Sequence, residues 1–368
     1  MLSGDRLIQG ENPLLTHHDE DGSIQIPSDF HVPHAHICLA IRNLIIDRIS
    51  RDVEEESSTV RELSAEIMSK ISIVEMPKRD CFKNVAGADA GSQILPLASR
   101  RYGIVNALVY SLPVGRRFFH PPECVVLPYT ISNELNGGTI NIRRESKLFE
   151  TAYSFVEQNP ETELLLIDGP LAFSNLWSTR GRRPDQQRLI DAVNELLRCC
   201  SKNDVAVVGI VKRPSARYLI YHLGLQDRTD MPDAYLLHQA LRPGERTDFF
   251  SARAALRKAT RPSPFMDAIG FPIYSFYSRF SREWSIPPIR IDVPSFCLGM
   301  IEDIADYCHW SSLWNGIPLP IARADEDVRI SKRFMSEVYS EVIGYVGTRS
   351  GDVSYLAPYW GEGGWMGA

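Results

Sequence analysis

The sequence lacks the features that mark membrane and disulfide-stabilised proteins. No run approaches eighteen uninterrupted apolar residues, and no basic segment followed by an apolar one stands near Met1. The 7 cysteines are scattered without a CxxC pair, and their odd number argues against a disulfide framework or a zinc ribbon. We therefore expect a protein of the reduced cytoplasm with no membrane association.

The sequence also lacks an excess of basic over acidic residues, with 40 Lys and Arg against 46 Asp and Glu. The net charge of -6 gives no overall attraction to nucleic acid, so any such contact needs a local basic groove. The sequence has no Walker A motif and no internal repeat, which argues against a P-loop ATPase and a repeat architecture. With 368 residues, 44% of them hydrophobic, the chain can form one large domain with additions, or two domains.

The distribution of apolar residues divides the chain into three parts. Residues 1–80 combine a polar arm with apolar residues spaced three and four apart, which predicts two amphipathic helices separated near Ser57. Residues 81–345 form the predicted core domain. Residues 346–368 are a tail rich in glycine and aromatic residues.

Within the core domain, strand-like runs precede an alternation of helices and strands. Runs between Asn84 and Glu145 predict a meander of three or four strands, the last of them GTINIRRE. A helix over 146–158, an apolar strand ending at Asp168 and further alternating elements follow, with single helices at 295–310 and about 320–345. This order predicts an α/β fold, a ribonuclease-H-like mixed sheet flanked by helices, with an N-terminal helical extension.

Two aspartates follow apolar strands in nearly the same setting. Asp89 lies in VAGADAGS and Asp168 in ELLLIDGPLAF, each followed by glycine within two residues. Neighbouring central strands of the predicted sheet would bring both carboxylates to one edge. Such carboxylates repel each other unless a cation lies between them or one is protonated. The pattern therefore indicates a hard-metal site or an acid pair, with two ordinary Asp-Gly turns as the structural alternative.

Other polar residues could complete such a site. Glu150, on the helix before Asp168, is the candidate third ligand, and Glu145 near the helix start is its rival. An Asp/Glu/Asp set suits Mn2+ or Mg2+ better than zinc. Lys212 ends the apolar strand VAVVGIV, where an ammonium group can stabilise a phosphate or orient a water. Tyr277 and Asp325 are individually weak candidates.

The order of these motifs resembles that of the NurA family of nucleases, from roughly Cys81 to Tyr345. GADAGSQ and LLLIDGPLAF are similar to the family's two Asp motifs, and RRESKLFETA is similar to its Arg...Glu helix, with a spacing that favours Glu150 over Glu145. VVGIVKRPSAR matches the family's strand ending in lysine. YSRF, with Tyr277 and Arg279, matches its late Tyr-x-Arg strand.

The resemblance implies a metal-dependent DNA nuclease with 5'-to-3' exonuclease and single-strand endonuclease activities, which uses Mn2+ or, less often, Mg2+. The metal ligands it implies are Asp89, Glu150 and Asp168. Lys212 would neutralise charge at the scissile phosphate. The resemblance also implies a homodimer that docks on a separate hexameric HerA-type ATPase during DNA end processing.

The remaining implied roles concern the placement of the DNA strand. Tyr277 and Arg279 would position it. Asp325 stands where the family often has a histidine, and it can bind Mn2+ or hold a water, but it cannot act as both a neutral donor and an acceptor as imidazole does.

Two other functions are compatible with parts of the sequence. An actin-like ATPase or sugar kinase also uses Asp-Gly turns around a metal-bound nucleotide, but it needs a duplicated domain and a Gly-rich adenosine loop that the sequence does not clearly show. A non-catalytic scaffold for the ATPase is compatible with the altered AGS, DGP and RAD motifs. The retained carboxylates argue against it.

Overall fold

A computed structural model describes residues 17–18, 24–25, 35–97, 100–127, 133–173, 184–259, 264–351 and 353–356. Most of the expected polar arm and most of the C-terminal tail therefore lie outside the described residues. None of the helices in the described ranges is both long and apolar enough to span a bilayer.

One mixed sheet of 11 strands organises the molecule, beside a separate pair formed by β1 (His17–His18) and β2 (Ile24–Gln25). In chain order the strands of the large sheet are β3 (Ile73–Glu75), β4 (Val85–Pro96), β5 (Arg101–Leu112), β6 (Arg116–Phe119), β7 (Glu123–Leu127), β8 (Leu164–Asp168), β9 (Ala206–Val211), β10 (Glu245–Thr247), β11 (Phe250–Ser251), β12 (Ile273–Ser278) and β13 (Ile289–Pro294). Their spatial order is β3-β10-β12-β13-β9-β8-β4-β5-β6, with β7 paired to β5 and β11 paired to β12.

Helices pack on this sheet, and one long helix precedes it in the chain. They are α1 (Ala35–Lys70), α2 (Asn133–Gln158), α3 (Pro184–Lys202), α4 (Tyr218–Leu223), α5 (Asp233–Ala240), α6 (Ala252–Arg257), α7 (Pro264–Ala268), α8 (Ile301–Ser311), α9 (Leu319–Val328) and α10 (Lys332–Ser350), with 3-10 turns at Ser295–Met300 and Ser354–Leu356. The predicted mixed sheet with flanking helices and an N-terminal helix is confirmed.

The centre of the sheet consists of the parallel strands β4, β8 and β9. Strand β8 is buried on both faces, as its uninterrupted apolar sequence requires. Leu165 and Ile167 pack into a core with α2 and α3, whereas Leu164 and Leu166 pack into a second core with α8. The central strands are therefore held from both sides, and their carboxyl ends are fixed at one edge.

The N-terminal helix differs from its prediction. Instead of two helices separated near Ser57, α1 runs without a break over 36 residues. The Ser57 hydroxyl donates a hydrogen bond to the Glu54 carbonyl at 3.1 Å, so this polar side chain is satisfied within the helix. The predicted break was therefore wrong.

The GTINIRRE segment was also assigned wrongly, because it lies in α2 rather than in a strand. Its isoleucines alternate with other residues as in a strand, yet Ile140 packs against the β5 and β7 side chains and Ile142 packs into the large core. The helix turns between them. Ile140 and Ile142 pack against different clusters although they are two residues apart, and this spacing resembles the alternation of a strand.

The predicted single helix over about 320–345 is two helices, α9 and α10. Ser331 ends the connection between them, and its hydroxyl accepts a hydrogen bond from the Phe334 amide at 3.1 Å. This is a helix N-cap, so a new helix begins there. The separation lets α9 lie on β4 independently of α10.

The contact between α9 and β4 depends on Gly87. A Cβ atom at this position would lie 2.6 Å from the Ile321 amide nitrogen, and the carbonyl group of Pro320 would be closer still. We expect Gly87→Ala to lower the free energy of unfolding by about 1–3 kcal/mol, because the backbone of α9 must move to accept the methyl group. Urea denaturation measures this loss.

Gly344→Ala in α10 is the matched control, since nothing lies within 4 Å of a Cβ atom there. It should leave stability unchanged or raise it by up to about 1 kcal/mol through helix propensity. Equal stability of the Gly87→Ala variant and the unchanged protein would contradict the direct packing of α9 on β4.

Candidate active site

Three carboxylates converge at one edge of the sheet. Asp89 lies in β4, Asp168 ends β8, and Asp325 lies on α9, with one ligand oxygen from each within 4.8 Å of the others. In the described part of the chain this is the only group of three or more potential metal-ligating side chains. The parallel register that pairs Ala88 with Ile167 places Asp89 and Asp168 side by side.

The turn after Asp168 is fixed by glycine and by a buried ion pair. Gly169 has a φ of +135°, which only glycine adopts readily, so the chain can leave the strand sharply. Asp292 then accepts hydrogen bonds from the Leu171 and Ala172 amides at 3.1 and 3.0 Å. The Arg290 guanidinium binds Asp292 at 2.8 Å, so that carboxylate is charge-paired although it is fully buried. Asp168 is thus held by a rigid support.

The two strand carboxylates strongly disfavour full ionisation. Burial, followed by the negative charge of Asp168, raises the pKa of Asp89 to about 9. Burial also raises the pKa of Asp168. Two buried carboxylates at this separation need a proton or a cation to reduce their repulsion. A site that must work near neutral pH therefore calls for added positive charge.

Lys212 supplies part of that charge. Its ammonium lies 2.5 Å from Asp168 Oδ2 and 2.9 Å from Asp325 Oδ1. Burial alone would lower the pKa of Lys212, but the charges and hydrogen bonds of Asp168, Asp325 and Asp89 together outweigh it and raise the pKa. Burial would raise the pKa of Asp325, but the hydrogen bond and the charge of Lys212, with smaller contributions from Asp89 and Arg329, together hold the pKa low. One ammonium faces three carboxylates, so negative charge remains.

Glu145 adds a fourth acidic group next to the cluster. Its side chain is buried, with Oε1 bound to the Arg144 guanidinium at 2.5 Å, whereas Oε2 is buried and has no hydrogen-bond partner. That oxygen is 3.7 Å from the position of a Cβ atom on Gly169, directly after Asp168. Burial raises the pKa of Glu145, and the charge of Asp168 adds to the effect. An orphaned carboxylate oxygen at this place suits a cation ligand.

Glu150 is not brought to the cluster. It lies one and a half turns farther along α2, where Arg188 binds its carboxylate at 2.6 Å and also binds Glu123 at 2.7 Å. The Lys147 ammonium also lies 3.3 Å from Glu123. Two positive charges therefore balance the two acids, and neither acid has free negative charge for a metal. Among the two helical glutamates, the geometry therefore favours Glu145.

Tyr277 and Arg279 also lie away from the carboxylates. Tyr277 is fully buried, and its hydroxyl donates a hydrogen bond to Asp233 at 2.6 Å. Asp233 in turn accepts from the Leu219 and Ile220 amides at the start of α4. Arg279 donates to the backbone carbonyls of His238 and Leu241. In this structure both residues of the Tyr-x-Arg motif hold the fold together.

A cavity of about 340 Å³ opens beside the cluster, and two of its arginines, Arg213 and Arg290, were not named as candidates from the sequence. Arg144, Arg213 and Arg290 line it together with Glu145 and Tyr218. Arg144 directly precedes Glu145 in RRES, and Arg213 directly follows Lys212 in IVKRP. These positions next to candidate residues are the sequence feature that could have indicated them. The cavity combines positive charge with an aromatic wall, a combination that suits a nucleotide.

The donor set fits a hard divalent cation. All of the candidate ligands are carboxylate oxygens, which Mn2+ and Mg2+ accept, and thiol and imidazole ligands are not part of the group. The raised pKa of Asp89 shows that burial and the charge of Asp168 disfavour its ionised form, which a bound cation would favour, and Oε2 of Glu145 has no hydrogen-bond partner.

Comparison with known proteins identifies the family. The NurA domain family matches residues 83–330, about two thirds of the chain. The chain belongs to the NurA family. The crystal structure of the NurA nuclease from Sulfolobus solfataricus aligns with a TM-score of 0.55 at 15% identity, covering 82% of this chain and 97% of that one. A structure of NurA with manganese aligns with a TM-score of 0.53 at 12% identity, covering 83% and 98%. No curated protein matches significantly.

The match to NurA confirms the predicted family and fold. The 11-stranded sheet with flanking helices is that of NurA, and it is consistent with the expected ribonuclease-H-like type. Membership of this family supports nuclease activity.

The raised pKa of Asp89 predicts that the free energy of unfolding depends on pH. The pKa of Asp89 is raised to about 9, above its unfolded value of about 4, so the stability due to its protonated form is lost as pH rises through this range. We expect metal-free Asp89→Asn to be more stable than the unchanged protein at pH 8, by on the order of 1 kcal/mol, and this gain to shrink towards pH 5. Thermal unfolding in EDTA measures both values.

Addition of Mn2+ should reverse the order at pH 8. The unchanged protein gains stability by binding the ion, by about 2.7 kcal/mol when the ion is at 100 times its Kd, and Asp89→Asn gains little. Equal gains in both proteins would show that the ion binds elsewhere.

Proposed function

We propose that the protein is a divalent-metal-dependent DNA nuclease that hydrolyses phosphodiester bonds at the Asp89, Asp168 and Asp325 cluster. The observation that carries the proposal is the convergence of three carboxylates, within 4.8 Å of one another, around a charge that one lysine does not balance. Phosphoryl transfer in a site of this type depends on positioning and on charge stabilisation.

The ligands of the metal would be Asp89, Asp168 and Asp325, with the orphaned Oε2 of Glu145 as a further donor. A divalent cation held there supplies the positive charge that activates a water and stabilises the leaving oxygen. Asp325 takes the position of the histidine expected from the resemblance. It acts in this proposal as an anionic ligand and as the second acceptor for Lys212.

The basic side chains bind and orient the substrate. Lys212, held between Asp168 and Asp325, is placed to donate a hydrogen bond to a non-bridging oxygen of the scissile phosphate. Arg144 and Arg213 in the neighbouring cavity would bind an adjacent phosphate, and the Tyr218 ring would limit how the nucleotide enters. Local positive charge of this kind is what a chain of net charge -6 needs to hold DNA.

The finer features follow from the resemblance to NurA nucleases. We propose 5'-to-3' exonuclease and single-strand endonuclease activities, a preference for Mn2+ over Mg2+, a cytoplasmic location and a homodimer. A separate hexameric HerA-type ATPase would deliver duplex DNA to the site. The lack of a Walker A motif in this chain supports a motor on another chain.

Cleavage of end-labelled DNA tests the activity. With Mn2+, the protein should degrade single- and double-stranded substrates, whereas Asp89→Asn and Asp168→Asn should lose about 100-fold or more of the rate, because each removes charge at the reacting phosphate. EDTA should abolish cleavage. Tyr277→Phe is the control, because its hydroxyl binds Asp233 in the core rather than the cluster.

Retention of full activity in Asp89→Asn or Asp168→Asn would contradict the site. Absence of cleavage in the unchanged protein, even with a cognate ATPase and either metal, would contradict the nuclease function and favour a scaffold.

A second pair of variants separates the two helical glutamates. Glu145→Gln should lower the cleavage rate by about 10- to 100-fold, since it removes a charged oxygen next to Asp168, whereas Glu150→Gln should stay within about threefold. The Glu150→Gln variant retains the fold through the Arg188–Glu123 pair. A loss confined to Glu150→Gln would show that the helix rotates or shifts when substrate binds, contrary to this geometry.

A further inference from the structure

The first half of α1 exposes an unusual amount of apolar surface. Seven large aliphatic side chains between residues 39 and 53 are each 47–67% exposed. They are Leu39, Ile41, Leu44, Ile45, Ile46, Ile49 and Val53. A continuous apolar patch of this kind on a helix is typical of an interaction surface.

In the second half of the same helix, the apolar face packs against the rest of the chain. Val60, Leu63 and Ile67 are buried in the large core, and the Ser64 hydroxyl donates a hydrogen bond to the Leu236 carbonyl of α5. At 1.5 Å per residue, the helix continues for about 38 Å on the N-terminal side of Val60. The apolar face continues along it beyond the elements that cover the second half.

The exposed part contains a ridge of side chains at a spacing of four. Ile41, Ile45, Ile49 and Val53 lie one turn apart in succession. Ridges of this spacing pack into the grooves of a second helix at a crossing angle of about -50°, the commonest arrangement in globular proteins. The ridge is therefore shaped to receive another helix.

This ridge is complementary to itself when a second copy lies antiparallel to it. With the two-fold axis at the level of residue 47, Ile45 faces Ile49 of the second copy and Ile41 faces its Val53. The same register places Arg42 beside Asp52, which has the opposite charge and also binds Arg48 of its own helix at 3.0 Å. A parallel arrangement in register would instead place each of these charges beside its like.

Charge along the helix supports the antiparallel choice. The segment 52–56 holds four acidic residues, Asp52, Glu54, Glu55 and Glu56, whereas the segment 38–42 that faces it holds one charge, the positive Arg42. In a parallel pair the two acidic segments would lie side by side, at a cost that the antiparallel pair avoids.

We propose that the exposed face of α1 is an antiparallel seam between two copies of this chain, centred on Ile45 and Ile49. This proposal assigns a surface to the proposed homodimer. It is argued only from α1, so a negative result in the nuclease assay would not contradict it. An isologous contact of this kind closes at two copies and covers the ridge of each.

Cysteine cross-linking tests the register. In a Cys38→Ser, Cys124→Ser background, a mixture of the Ile45→Cys and Ile49→Cys variants should form several times more disulfide-linked dimer than either variant alone. Equal or greater linking of Ile45→Cys with itself would overturn the antiparallel register. Absence of linked dimer in all three samples would overturn the seam.

Light scattering with size-exclusion chromatography tests the seam without cysteines. Ile45→Glu/Ile49→Glu should convert a dimer of the unchanged chain to a monomer. Asn43→Glu/Ser50→Glu, on the opposite and also exposed side of α1, should remain dimeric. Far-ultraviolet circular dichroism reports whether each variant keeps its helices.

Two outcomes would overturn the proposal. A dimer that persists in Ile45→Glu/Ile49→Glu would place the contact between copies elsewhere. A monomeric unchanged protein at micromolar concentration would assign the face to another occupant, either a partner chain or residues 1–34 of the same chain.

Discussion

The mutual repulsion of Asp89 and Asp168 is the constraint on which the site depends. Parallel pairing of β4 with β8 places them side by side, and burial raises the pKa of both carboxyl groups. The fold keeps this unfavourable pair because the surrounding structure is rigid. Positive charge relieves the repulsion: the Lys212 ammonium supplies part of it, and in the proposed mechanism a divalent cation would supply the rest.

The rigidity comes from close backbone contacts and buried charge pairs. Gly87 lets α9 lie directly on β4, so Asp325 reaches the strand aspartates. Gly209 lets the turn after Asp168 lie on β9, since a Cβ atom there would be 2.6 Å from the Gly169 carbonyl oxygen. The Arg290–Asp292 pair fixes that turn from below. The carboxylates of the cluster are therefore held in position by the fold itself.

Local patterns predicted the strands that hold Asp89, Asp168 and Lys212, because each of these residues follows a buried apolar run. The third acid was harder to predict. Glu145 and Glu150 lie on one helix, and only the packing of that helix shows that Arg188 binds Glu150 while Glu145 turns towards Asp168. Asp325 joins the cluster through a contact between elements more than 200 residues apart in sequence, which no periodicity reveals. Tyr277 matched a motif, but its neighbours place it in the core.

Anomalous diffraction from crystals grown with Mn2+ would test the shared-cation account most directly, because it locates the ion without reliance on activity. The account predicts a strong anomalous peak within about 2.5 Å of carboxylate oxygens from both Asp89 and Asp168, with Lys212 displaced from its present contacts. A fully occupied peak beside Glu150 and Glu123, or none at the aspartates, would contradict it.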